Sequence, residues 1–573
     1  MKEPIMSSIR KALIVAMIAI IGICTSNVSA QGSIQIPDNV KKHIPAESFL
    51  LVYVPSLGKL VDSLEQTAVT VDPGMAMQAK MLPMMMASSM FKYKDGKKQA
   101  ELDMSKPVML AVTAAGMTPA VTAMIGIKGS HDGLETTDPS MKVESITDGG
   151  MVIVHQGPKA ESISSNAALL QNIPAGQISV AFDQELFVKK FGPVIEMMLA
   201  MSTGGMGQQK GKMTAAERAS MQQAQQAAKQ VKTFMGMFKS WDMAMDFDGG
   251  MMDTTVRWIP MDAKMNATGS ADLGNYTHVM AQNPPLAGAM SIGCLRAMLN
   301  MDQAGDMSMV PPAMADMVKK IYADADAILG NIKSSMGFSY GISDKGLWGM
   351  QSMKVKSVDT FLSQVKSMMT ILQDSNMGFT VKDLKMIDPG VGYTLHMDMQ
   401  KMMDSMNMGG MIPPNEMAQL DSVVDAMFGG EVGLQIRYLN KGDHVIAVFG
   451  RNGKLLGEAK RLLKSDEKGA PNVLDSLVST AQGTPTMVMS VDMRSGIKDM
   501  MQFLESIPFV KADMGDTPRV PSGDRVGLDV TCTAMQKGGQ CVISLDLGGM
   551  AKMVMQMEAE MEAKKQNKAA MAN

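Results

Sequence analysis

IPAESFLLVYVPSLGKLVDSLE, residues 44–65, runs from a proline-containing loop through an alternating strand into a helical pattern. The same order recurs as IPAGQISVAFDQELFVKKFGPVIEMM from Ile173, PPLAGAMSIGCLRAMLNM from Pro284, DPGVGYTLHMDMQKMMDSM from Asp388 and TPTMVMSVDMRSGIKDMMQFLE from Thr484. Pro45, Pro174, Pro285, Pro389 and Pro485 recur at a domain-like period. Asp183, Asp398 and Asp492 fall where strand gives way to helix, and an Asp there can cap free N–H groups of the first turn.

Each copy continues alike. A Gly/Pro/Met loop follows the first helix, a second helical stretch often comes next, and hairpins follow with Asp-Gly-Gly-Met at 148–151 and again at 248–251. The chain therefore reads as α+β, with about five repeated β-α-(α)-β-β-α units whose antiparallel or mixed sheets are covered by helices, the helices on one face. The predicted division is a signal peptide over 1–30, then units at 31–172, 173–283, 284–387, 388–483 and 484–573, the last with a C-terminal helical tail.

The unit starts, with a Pro-Ala loop leading into an apolar strand and a helix, resemble those of secreted bacterial proteins of unknown function. That resemblance implies an envelope or secreted location and no particular activity. The N-terminus agrees: Lys2, Arg10 and Lys11 precede the short apolar run ALIVAMIAIIGIC (12–24), and Val28-Ser29-Ala30 places cleavage after Ala30. No later stretch reaches membrane-helix length, so no transmembrane segment is expected after cleavage. Cys532 and Cys541 flank a turn-like stretch and read as a cross-strand disulfide in an oxidising compartment, leaving Cys294 over.

The 573 residues carry 54 Lys+Arg against 57 Asp+Glu, too little basic excess for a nucleic-acid binder, and aromatics are 4%, too few for a base-stacking platform. Methionine is the anomaly, with 67 residues. Met399, Met402, Met403 and Met406 follow an i, i+3, i+4, i+7 stripe, as do Val194, Met197, Met198 and Met201, and Met550, Met553, Val554 and Met557. Helical MLPMMMASSM (81–90) reads the same way, as packing. Met75, Met77, Met206, Met307, Met309, Met408 and Met411 lie instead among Gly and Pro. Such loops suit an apolar ligand or protein partner. Alternatively, Met75, Met77, Met307, Met309, Met408 and Met411 supply soft thioethers for Cu(I) in the periplasm.

No catalytic motif holds. Gly337-Phe338-Ser339-Tyr340-Gly341 matches G-x-S-x-G, which would make Ser339 a hydrolase nucleophile, but a helical stretch precedes it and a hairpin follows, the reverse of a nucleophile elbow. GMGQQKGKMT has the wrong spacing for a phosphate loop, and DMAMDFDGG lacks the ligands of a calcium loop. The histidines, at 43, 131, 155, 278, 396 and 444, show no metal-binding spacing, though distant residues can converge in a fold. The expectation is an exported, non-enzymatic binding protein without a cofactor.

Overall fold

The structure, a computed structural model, describes residues 33–71, 73–95, 99–115, 118–147, 149–157, 169, 173–204, 236–262, 268–280, 284–299, 312–375, 377–386, 390–405, 413–464, 472–508 and 519–572. Residues 1–30, where a signal peptide is expected, and the methionines Met206, Met307, Met309, Met408 and Met411 lie outside them.

The chain forms two compact units, one of Met1–Asn266 with Met535–Gly548, the other of Ala267–Ala534 with Gly549–Asn573. The first contains β1 (Ser48–Val54), β2 (Phe91–Tyr93), β3 (Val108–Ala115), β4 (Thr118–Gly126), β5 (Leu134–Thr136), β6 (Met141–Ile146), β7 (Met151–Gln156), β8 (Ile178–Asp183), β9 (Phe238–Asp248) and β10 (Met251–Pro260). The second contains β11 (Leu286–Ser291), β12 (Ile332–Ser343), β13 (Gly346–Val355), β14 (Phe379–Asp383), β15 (Gly390–Met397), β16 (Leu434–Lys441), β17 (His444–Phe449), β18 (Pro485–Asp492) and β19 (Gly527–Met535); β20 (Gly538–Asp546) belongs to the first.

The pairings give the order β6-β7-β4-β3-β1-β8-β9-β10-β20 in the first unit, all antiparallel. In the second the order is β14-β15-β16-β17-β13-β12-β11-β18-β19, again all antiparallel. β2 and β5 make a separate ribbon. All five repeats are present, starting with β1, β8, β11, β15 and β18, each followed by a helix. Four of the five opening strands pair with one another. β1 pairs with β8, and β11 with β18, so two repeat-opening strands lie side by side, with hairpins flanking them. In these pairs each opening strand covers an edge of the other, whereas β15 lies between β14 and β16.

Local signals explain the junctions. Asp183 accepts from the Leu186 N–H at 2.9 Å, Asp398 from Lys401 at 2.9 Å and Asp492 from Arg494 at 3.1 Å, so the recurrent Asp does cap the helices. Gly249 and Gly250 turn β9 into β10 with φ of 56° and 94°, a backbone that favours glycine.

Helices cover both faces of the second unit's sheet, where one face was expected. Along β17, Ile446 and Val448 join the core capped by Leu455, Ala459 and Leu462 of helix Gly453–Lys464, while Val445 and Ala447 join the core capped by Phe361, Val365 and Met369 of helix Val358–Asp374. Strands buried on both faces read as continuous apolar runs, and HVIAVF (444–449) is one. Methionine fills much of this interior: Met109, Met124, Met252, Met350 and Met353 are buried, and Met399, Met403 and Met417 form their own cluster. The stripe holds less well on helix Gln184–Gly204, where Met197 is 51% exposed.

Cys532 and Cys541 are both disulfide-bonded, and Cys294 is a free, buried cysteine whose thiol pKa is raised by burial. Non-reducing peptide mapping is expected to recover the Cys532 and Cys541 peptides as one cross-linked species. Cys532→Ser with Cys541→Ser should cost about 2–3 kcal/mol, the entropy of so short a closed loop. Two uncoupled peptides would refute the pairing.

Candidate functional site: an outward-facing methionine surface

Met75 and Met77 are not in a loop, as their Gly/Pro neighbours suggested. They lie on helix Pro73–Met90, which also contains MLPMMMASSM and carries Pro83 in its interior. This helix packs against helix Leu57–Val71. Its inward residues are small: Ala87 is 0% and Ala76 8% exposed, with Met86 and Met90 partly buried against Phe91 and Leu102. The larger side chains point out, with Met77 at 68%, Met84 and Met85 at 58%, and Met81 and Leu82 at 39%. At 3.6 residues per turn Met77, Met81, Met84 and Met85 share one face.

The reading of MLPMMMASSM as packing is therefore corrected. A helix whose large apolar residues are spread around its axis gives no stripe from which the buried face can be read. The choice falls on the alanine face because small residues let the two helices approach closely, and the thioethers are left in solvent. Only one charged side chain lies on the helix, Lys80, bound to Glu65 at 2.7 Å, with its pKa raised by that hydrogen bond. Five large apolar side chains beside a single neutralised charge form an exposed patch of the kind that marks an interaction site.

Ser339 lies within β12, fully buried, its Oγ without a hydrogen-bond partner. The two glycines of its motif serve packing. A Cβ at Gly337 would run into the Tyr276 carbonyl, and one at Gly341 into the Trp348 ring. The G-x-S-x-G spacing thus follows from what crosses the strand.

Two polar assemblies escaped the sequence. Ser352 of β13 lies 3.0 Å from His278 Nε2 and 2.8 Å from His444 Nε2, residues 74 and 92 positions away. His278 Nδ1 lies 2.9 Å from the Asn275 carbonyl, which only accepts, so Nδ1 carries the proton and Nε2 accepts from Ser352. The serine has one hydrogen, so His444 Nε2 must donate to it. Ser352 is fully buried, which makes this a structural hydrogen-bond chain rather than a nucleophile open to substrate. Burial and the neighbouring His444 lower the His278 pKa to about 4.

The second assembly is on β9 and β10, where Asp246 faces Asp253 and Asp242 faces Arg257 across the ladder. Burial raises Asp242 to about 7 against the pull of Arg257, and raises Asp253 to about 7 with help from Asp246 and Asp248. The alternation of WDMAMDFD was legible, but not that its carboxylate face is partly buried too. Among the described residues no group of three or more His, Cys, Asp or Glu is placed to hold a metal ion, and no helix is long and apolar enough to cross a membrane.

No family model and no curated protein matches the chain. Solved structures that align with it include crystal forms IV and III of TP0453, each at 9% identity and a TM-score of 0.22. The alignments cover 51% of this chain and 98% of the other in form IV, and 49% and 97% in form III. A similarity of that size defines neither fold nor function.

Proposed function

We propose that this is an exported, non-enzymatic binding protein that holds apolar segments of a partner protein on the methionine face of helix Pro73–Met90. The observation that carries the reading is the inverted packing of that helix, alanine inward and methionine outward. Thioether side chains are flexible and polarisable, so such a face adapts to partners of varied shape. A protein partner is favoured over a membrane surface because interfacial helices present Lys and Arg to headgroups, and the one lysine here is neutralised by Glu65. Export is part of the proposal and rests on residues 1–30.

The test is fluorescence anisotropy with a labelled, leucine-rich amphipathic peptide, using the mature chain and its Met77→Glu/Met81→Glu/Met84→Glu/Met85→Glu variant. Binding is expected to weaken at least about tenfold, since losing one hydrophobic anchor of this kind costs ~1–2 kcal/mol. Stability should change by no more than ~0.5 kcal/mol per exposed site. Equal affinity in both proteins would sink the proposal.

A further inference from the structure

The second unit contains a cleft of about 330 Å³ whose wall, among the described residues, carries three cations and no carboxylate. Arg296 comes from helix Ile292–Leu299, Lys333 from the start of β12, and Lys356 from just beyond β13. Thr268, Ser270, Ser291 and Ser334 add hydroxyls to the lining. The N-terminus of helix Ile292–Leu299 opens onto the same space and adds its partial positive charge.

The counter-charges stand outside the wall. Arg296 reaches Asp326 at 2.9 Å and Lys333 reaches Asp443 at 2.6 Å, and all four side chains are 43–54% exposed. Exposed pairs of this kind contribute ~0–1 kcal/mol, so either cation can turn to a better anion at little cost. Lys356 donates to the Gly330 carbonyl at 2.7 Å, where it offsets the negative end of helix Pro312–Asn331. Asp272 takes the hydroxyl hydrogens of Ser270, Ser334 and Ser335 from behind. Those serines therefore offer lone pairs inward, and an anion must be held by the three cations.

We infer that this cleft binds a phosphomonoester or inorganic phosphate through Arg296, Lys333 and Lys356. Arginine suits two oxygens at once, and the lysines act as point charges on the rest of the anion. The inference is independent of the methionine surface, and the Met77/Met81/Met84/Met85 variant should bind phosphate as the unaltered chain does.

The experiment is isothermal titration of the mature chain with sodium phosphate, against sodium chloride at matched ionic strength. Saturable phosphate binding is expected, weakened at least about tenfold in Arg296→Gln/Lys356→Gln and in Lys333→Gln, since each change removes charge-assisted contact to the anion. Lys382→Gln, an exposed change on β14, should leave it unaltered. A second arm uses phosphatidylcholine vesicles with and without phosphatidic acid. Binding only to the latter, lost in the same variants, would assign the phosphomonoester to a lipid headgroup. Heat no greater than that of chloride with no vesicle binding, or equal binding in all variants, would overturn the inference.

Discussion

Phe361→Ala is expected to destabilise the second unit by about 3–5 kcal/mol, the usual cost of emptying a fully packed aromatic site. Phe361 is 2% exposed and lies on helix Val358–Asp374, its ring 6.1 Å from that of Tyr438 at a steep angle. The helix is anchored by Ser357, whose hydroxyl accepts the Thr360 N–H, so it cannot slide to refill the space. Val365 and Met369 lie along the same buried face. The measurement is hydrogen exchange on β13 and β17 peptides, because two compact units need not unfold in one step. Met555→Ala, at a side chain 43% exposed, should change protection by less than ~0.5 kcal/mol. A cost for Phe361→Ala below ~1.5 kcal/mol would mean that the helix does not seal this core.

The two units are expected to respond to pH with opposite sign. His278 is held neutral by burial, beside His444 and in the field of Glu458 and Arg461. Its folded pKa of about 4 lies below the ordinary 6.5, so the stability it contributes is full above pH 6.5 and is lost as pH falls toward 4. The depression corresponds to at most ~3 kcal/mol. Protonation also leaves Ser352 without its acceptor, between two imidazoles. Asp242 and Asp253 behave in reverse. Their folded pKa values of about 7 lie above the ordinary 3.8, so their contribution is full below 3.8 and lost as pH rises through 7. Between pH 4.5 and 6.5 acidification should weaken β13 and β17 and strengthen β9 and β10, read by hydrogen exchange corrected for its intrinsic pH dependence. His278→Gln should flatten the first trend, and Asp253→Asn the second. Parallel trends in both regions would refute these burial assignments.

The opening strands were legible because each combines signals that act locally: a proline near its start and a run of strand-forming residues, joined in β8, β15 and β18 by an Asp that caps the next helix. The two glycines after DMAMDFD were legible for the same reason, since only a tight turn asks for positive φ twice in succession. Helix Pro73–Met90 was legible as a helix over MLPMMMASSM, but Met75 and Met77 were placed in a loop because Pro73 and Gly74 resemble punctuation. Pro73 is instead the first residue of the helix, where a missing N–H costs nothing.

By itself the sequence determined the α+β class, the fivefold recurrence, the Asp caps and the methionine core of helix Met399–Ser405, because each depends on contacts within a few residues or on a short period. Only the tertiary structure decided that β1 lies beside β8 and β11 beside β18 while β15 lies between β14 and β16, since an opening strand carries the same pattern whichever strand lies beside it. The tertiary structure also turned Met77, Met81, Met84 and Met85 outward, because a helix with no single apolar stripe takes its buried face from its neighbour. Arg296, Lys333 and Lys356, like His278, Ser352 and His444, met for the same reason: their proximity is set by how strands and helices pack, and no local spacing records it.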